Sequence, residues 1–152
     1  MVLQAEPILA AVRAARARKR GVKILILSPR GRQFDAARSR SLARRYRHII
    51  LICGHYEGID ARVKKALRAE EVSIGPYVLT GGELPAMALV DAISRHIPGV
   101  LGKDESREEE RVASGEVYTR PETVLWGGRR YRVPAILRSG DHKRIETWKA
   151  GR

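Results

Sequence analysis

Three short stretches marked by glycine or proline hold the residues of this chain best suited to bind a ligand. They are Leu27-Ser28-Pro29, Cys53-Gly54-His55-Tyr56-Glu57-Gly58 and Tyr77-Val78-Leu79-Thr80-Gly81-Gly82-Glu83. Glycine has no Cβ, so main-chain N–H and C=O groups can come within hydrogen-bond range of a bound molecule. Taken singly, each stretch reads as an ordinary turn, because Gly and Pro punctuate turns everywhere. Their shared position, each following an apolar run, is what suggests a common pocket. Other chemistries find little support. Cys53 is the one cysteine, which excludes an internal disulfide and a cysteine-based zinc cluster. It ends an apolar run and reads as core packing, not as a nucleophile. His55 is isolated and receives no proton-transfer role. There is no P-loop, and no GxGxxG opens a helix after the first apolar run. The acidic run Asp104–Glu110 reads, on composition alone, as a solvated loop.

The elements that must position these stretches alternate in type. Apolar spacing predicts helices over Pro7–Arg20, Asp35–Arg47, Ile59–Leu67, Leu84–Ile97 and His142–Lys149. Val22–Leu27 and His48–Cys53 are short, nearly continuous apolar runs that suit strands covered on both faces. Val72–Ile74, Tyr77–Leu79 and Val133–Leu137 read as further extended pieces. Strands alternating with helices predict an α/β fold with a parallel sheet. In such sheets, ligands sit beyond the carboxyl ends of the strands. The three glycine- or proline-marked stretches follow strand ends of that kind.

The chain has 152 residues, enough for one domain with a real core. Thirty Lys and Arg face seventeen Asp and Glu, a formal net charge of +13. That excess favours a polyanionic partner, because phosphate neutralisation releases condensed counterions. Arginine dominates, and its fork suits phosphate. With two Trp, five Tyr and one Phe, composition gives little support to a base-stacking platform. No apolar run reaches membrane-spanning length. The first residues lack the order of a secretory signal, and cysteine usage suits a reducing cytoplasm.

The stretch Ser73-Ile74-Gly75-Pro76-Tyr77-Val78-Leu79-Thr80-Gly81-Gly82-Glu83-Leu84-Pro85-Ala86-Met87 resembles the signature loop of the bacterial tRNA (guanine-N1)-methyltransferase family. Other blocks agree in order: LSPRG from Leu27, CGHYEGID from Cys53, SRHIPGVLG from Ser94, YTRPE from Tyr118 and VPAILRSGDH from Val133. The resemblance runs from Met1 to about Trp148. It implies the SPOUT class, an α/β domain of parallel sheet and flanking helices with a carboxyl-terminal trefoil knot. It implies methylation of the guanine 3′ of the anticodon, with S-adenosylmethionine as donor, tRNA as partner and a cytoplasmic homodimer. Mg2+ is compatible with that chemistry, though no residue pattern assigns it ligands.

The resemblance also places roles. The cofactor would lie against Leu27, Ser28 and Pro29; Gly54, Tyr56, Glu57 and Gly58; and Ile74, Gly75, Pro76, Tyr77, Val78, Leu79, Gly81 and Gly82. N1 of guanine is a poor nucleophile while protonated, so a base must take its proton and a cation must steady the neighbouring oxygen. Arg95 matches the family's arginine, and Glu110 the base. The family has Asp followed by Ser-Phe there, whereas this chain has Glu110-Arg111-Val112, with Glu109 adjacent. His55 stands where the family usually has Arg, and Pro76 where it has Asp. The whole chain is expected to be one methyltransferase domain, lacking the family's amino-terminal segment and carboxyl-terminal tRNA-binding domain. Two alternatives compete with catalysis. One is a cofactor-binding domain with weak or no turnover. The other is a basic tRNA-binding or dimerisation module with Arg38, Arg40, Arg44, Arg45 and Arg47 as its footprint.

Overall fold

The computed structural model describes residues 1–55, 57–101 and 116–150. These fall into two compact units, Met1–Leu101 and, within Gly102–Arg152, the described residues 116–150.

The first unit is built on a three-stranded parallel sheet. Its strands are β1 (Val22–Gln33), β2 (His48–Cys53) and β3 (Glu70–Ser73), in the order β2-β1-β3. Helices α1 (Ala5–Arg16), α2 (Ala36–Arg45), α3 (Ala61–Leu67) and α4 (Glu83–Ser94) complete it. Side chains along β1 alternate between two cores. Ile24 and Ile26 pack with Val12 of α1 and Val63 of α3. Leu25 and Leu27 pack with Leu42 of α2 and with Leu89 and Ile93 of α4. The central strand is therefore covered on both faces, as its unbroken apolar run requires.

Local chemistry sets the helix ends. The Asp35 carboxylate accepts the Arg38 N–H at 2.7 Å and caps α2. Asp60 caps α3 by accepting the Arg62 N–H at 2.8 Å. The buried Ser39 hydroxyl donates to the Ala92 carbonyl at 2.7 Å, tying α2 to α4. Helix α1 stops at Arg16, short of the predicted Arg20, because Ala17 turns extended and Arg18 adopts φ 63°. On β3, Glu70 accepts ion pairs from Lys23 at 2.9 Å and from Arg38. Burial pushes the Glu70 carboxyl up, but those two cations outweigh it and hold it below the ordinary range. Arg38 is thus committed to the sheet, which removes it from the surface footprint expected of α2.

In the second unit, β4 (Thr123–Trp126) and β5 (Arg129–Arg132) form an antiparallel hairpin, followed by a 3-10 turn (Ala135–Arg138) and helix α5 (His142–Ala150). The strand expected at Val133–Leu137 does not form. Pro134 fixes its φ at −51° and offers no N–H to a ladder, and the Leu137 N–H closes on the Pro134 carbonyl at 3.0 Å. The extended piece expected at Tyr77–Leu79 is not a strand either, since these residues pair in no ladder. Among the described residues, no helix is long and apolar enough to cross a membrane.

Candidate functional site

The register of β1 shifts where the first, proline-marked stretch lies. Leu27 and Arg32 both stand opposite Val72, so the intervening residues loop out beyond the sheet. The loop closes tightly at Gly31, where a Cβ would meet the Val72 nitrogen at 2.4 Å. Only glycine permits that approach.

The second stretch leaves β2 at Cys53. It is steadied from the chain's amino-terminal residues: the Leu3 N–H donates to the Gly58 carbonyl at 2.9 Å, and the Asp60 N–H to the Leu3 carbonyl at 3.1 Å. The third leaves β3 through a polar clamp. The buried Ser73 hydroxyl donates to the Gly75 carbonyl at 2.8 Å and accepts the Gly75 N–H at 3.1 Å. The chain then reaches the end of β2, which lies beyond β1 in the sheet order. It docks where the Gly82 N–H donates to the Gly54 carbonyl at 3.0 Å and Gly81 bridges His55. A Cβ on Gly82 would stand 2.6 Å from the Cys53 Cα. Two stretches far apart in sequence are thereby fused into one wall.

A side-chain latch reinforces that junction. His55 Nε2 lies 2.5 Å from Glu83 Oε1 at the start of α4. The Glu83 carboxyl is held below its ordinary value first by its own backbone N–H and then by His55. Cys53 is half-buried, and its thiol is pushed up by burial and by the nearby Glu83 charge. It therefore rests as a neutral thiol.

The three stretches line one cleft of about 570 Å³ at the looped-out part of β1 and the carboxyl end of β2. Leu27, Ser28, Pro29, Gly54, Glu57, Gly58, Ile74, Gly75, Tyr77, Val78, Leu79, Gly81 and Gly82 all line it. Pro76 is not on its wall, and Tyr56 lies outside the described residues. Arg95 caps the carboxyl end of α4, its N–H donating to the Asp91 carbonyl at 3.2 Å, and it is not on the cleft wall. Glu109 and Glu110 lie outside the described residues. The wall also holds charged residues not expected from sequence: Arg30, Asp60, Lys64 and Glu71. Asp60 and Lys64 are one helical turn apart at the start of α3, a spacing that puts both on one face. Lys64 reaches Glu71 of β3 at 2.5 Å. Among the described residues, no three His, Cys, Asp or Glu side chains gather as metal ligands.

Fold and cleft together define an α/β domain with a ligand-sized cavity, walled by main chain, where parallel strands end. The family model described as tRNA (Guanine-1)-methyltransferase TrmD matches residues 1–152, and the chain belongs to that family. It is similar to the tRNA (guanine-N(1)-)-methyltransferase of Myxococcus xanthus, 47% identical over 153 residues, covering 98% of this chain and 60% of the relative. The protein of the same name from Mannheimia succiniciproducens is 49% identical over 154 residues, covering 98% and 58%. That from Moorella thermoacetica is 45% identical over 155 residues, covering 98% and 60%. The chain thus spans about 60% of the length of these curated relatives.

Proposed function

We propose that this chain is the core of an S-adenosylmethionine-dependent methyltransferase acting on N1 of the guanine 3′ of the anticodon in tRNA. The observation that carries this is the convergence of three glycine- or proline-marked stretches on one cleft, in a member of this family. The cleft volume of about 570 Å³ lies within the range of about 300–1,000 Å³ usual for small-molecule sites. Gly81 and Gly82 put no side chain on that wall. The described residues on the wall therefore fit the cofactor, held by Leu27–Pro29, by Gly54, Glu57 and Gly58, and by Ile74, Gly75 and Tyr77–Leu79 with Gly81 and Gly82. The crossing from β3 past β1 to the end of β2 is where the family's trefoil knot would form.

When bound, S-adenosylmethionine supplies an electrophilic methyl group. Glu110 takes the N1 proton of guanine, leaving a nucleophilic nitrogen. The Arg95 guanidinium steadies the negative charge that then develops on the guanine oxygen. Because Arg95 is not on the cleft wall, a second copy of the chain is proposed to complete the site. Leu84, Met87 and Val90 are 61%, 67% and 56% exposed along one stripe of α4, an apolar face suited to such a copy. A reaction on tRNA fits a cytoplasmic chain.

Radiolabelled methyl transfer to unmodified tRNA tests the assignment. Transfer should be detectable, and Arg95→Ala should lower it roughly 100-fold or more. Undiminished transfer by that variant removes Arg95 from the mechanism. Calorimetric cofactor binding with background transfer would reduce the chain to a binding domain.

A further inference from the structure

We propose that the β4–β5 hairpin is an RNA-binding arm whose aromatic face stacks unpaired bases while its arginines hold the adjoining phosphates. This rests on RNA being the substrate and adds a surface distinct from the cleft. The pairing register sorts the side chains into two faces. Val124 opposes Tyr131 and Trp126 opposes Arg129, so these four share one face. Leu125 opposes Arg130 and Thr123 opposes Arg132, on the other. Trp126 is 77% exposed and Tyr131 54%. Arg129, Arg130 and Arg132 are exposed too, and no acidic residue occurs from Thr123 to Val133.

Exposed tryptophan and tyrosine on a rigid ladder lose little freedom on contact and offer flat apolar area. Bases of any sequence stack on such rings. The cross-strand Arg129 lies within reach of a phosphate attached to a base stacked on Trp126. The overall composition hides this feature, because few aromatics are spread over the chain and two of them meet here. Charge also selects among occupants. A second copy of the hairpin would set like charges against one another, whereas RNA neutralises them.

The test uses the full chain carrying Trp148→Phe, so that Trp126 reports alone. A short unstructured oligoribonucleotide should quench its emission. An abasic oligonucleotide of the same length should not. In the wild-type background, Trp126→Ala should weaken oligonucleotide binding roughly tenfold or more, and Trp126→Phe should retain most of it. Arg129→Gln, Arg130→Gln and Arg132→Gln together should lower the slope of log affinity on log salt by about 0.7 for each phosphate no longer neutralised. Unchanged affinity in Trp126→Ala, or equal quenching by the abasic strand, overturns the proposal. So does a Trp126→Ala variant that shifts oligomeric state but not RNA affinity, which would give the face to a second copy. Hairpin-dependent oligonucleotide binding without methyl transfer would sink the functional assignment and leave the arm. Methyl transfer with wild-type affinity in Trp126→Ala would sink the arm alone.

Discussion

The two units of this molecule are ordered by different physics. In Met1–Leu101, a central strand is sandwiched between two helical layers, and the buried hydrophobic residues run from Ala5 to Ile93. Among residues 116–149, none is buried. Their order comes from turn chemistry and short-range bonds, such as the ion pair between Arg138 and Glu122. The first unit can therefore carry a shaped cleft, because its loops hang from a packed sheet. In the second, Leu125, Trp126 and Tyr131 of the hairpin are exposed, where they stabilise little.

The sharpest way to break this comparison is to delete one large side chain from each unit. Leu25 is fully buried at the centre of β1. Leu25→Ala should cost about 2–5 kcal/mol through lost transfer and a residual cavity. Trp126→Ala removes a larger side chain but should change stability by no more than about 0.5 kcal/mol. Urea unfolding followed by far-ultraviolet circular dichroism measures both. Equal shifts would mean that the hairpin is packed after all.

A smaller effect is expected where the cleft is fused. Gly82→Ala places a methyl group against Cys53 main chain, which cannot rotate away. Separating the walls should cost about 1–3 kcal/mol. Cofactor affinity, read by calorimetry, should fall by more than the unfolding midpoint does. Wild-type affinity in a stable Gly82→Ala chain would show that this junction does not shape the pocket.

Much of the first unit is legible in the sequence because its signals are local and agree. The run His48–Cys53 has the same bounds in sequence and structure, since an apolar run closed by glycine has few other uses. β1 is legible only as far as Leu27, because looping out and re-pairing at Arg32 depends on β3, not on local sequence. Most of the cleft-lining residues are legible as glycine-marked strand ends. Asp60, Lys64 and Glu71 are not, since only folding brings α3 beside β3. The hairpin escapes the apolar pattern although its turn signal is strong. Gly127-Gly128 between two short runs is a two-residue turn, and both glycines take positive φ, 55° and 74°. The neighbouring apolar run Val133–Leu137 competes for the strand assignment, and Pro134 argues against it.

Acid should distinguish the units again. Arg62 hydrogen bonds lower the Asp60 carboxyl from 3.8 to about 2. A carboxyl depressed by folding contributes stability that is fully present above its unfolded value and is lost as pH falls through the folded one. Solvent reaches the Asp60–Arg62 pair, so the contribution is modest. Wild-type thermal midpoints should decline between those two values, and Asp60→Asn should flatten part of that decline. A variant as acid-sensitive as the parent would deny the α3 cap any role in it.

The smallest expected effect sharpens the comparison from the side of the hairpin. Gly127 occupies the first central position of a turn that demands positive φ at both residues. Asparagine tolerates that conformation better than other side chains and restricts the unfolded chain more than glycine does. Gly127→Asn should therefore stabilise the hairpin by about 0.5 kcal/mol. If the hairpin is ordered by its turn and ladder alone, exchange of the protected β4–β5 amides should slow roughly twofold. The urea midpoint of the sheet unit should stay where it was, because the substitution leaves its buried residues, from Ala5 to Ile93, unaltered. A global midpoint that rose together with hairpin protection would show one cooperative body, and the distinction between a core-built and a turn-built region would fall.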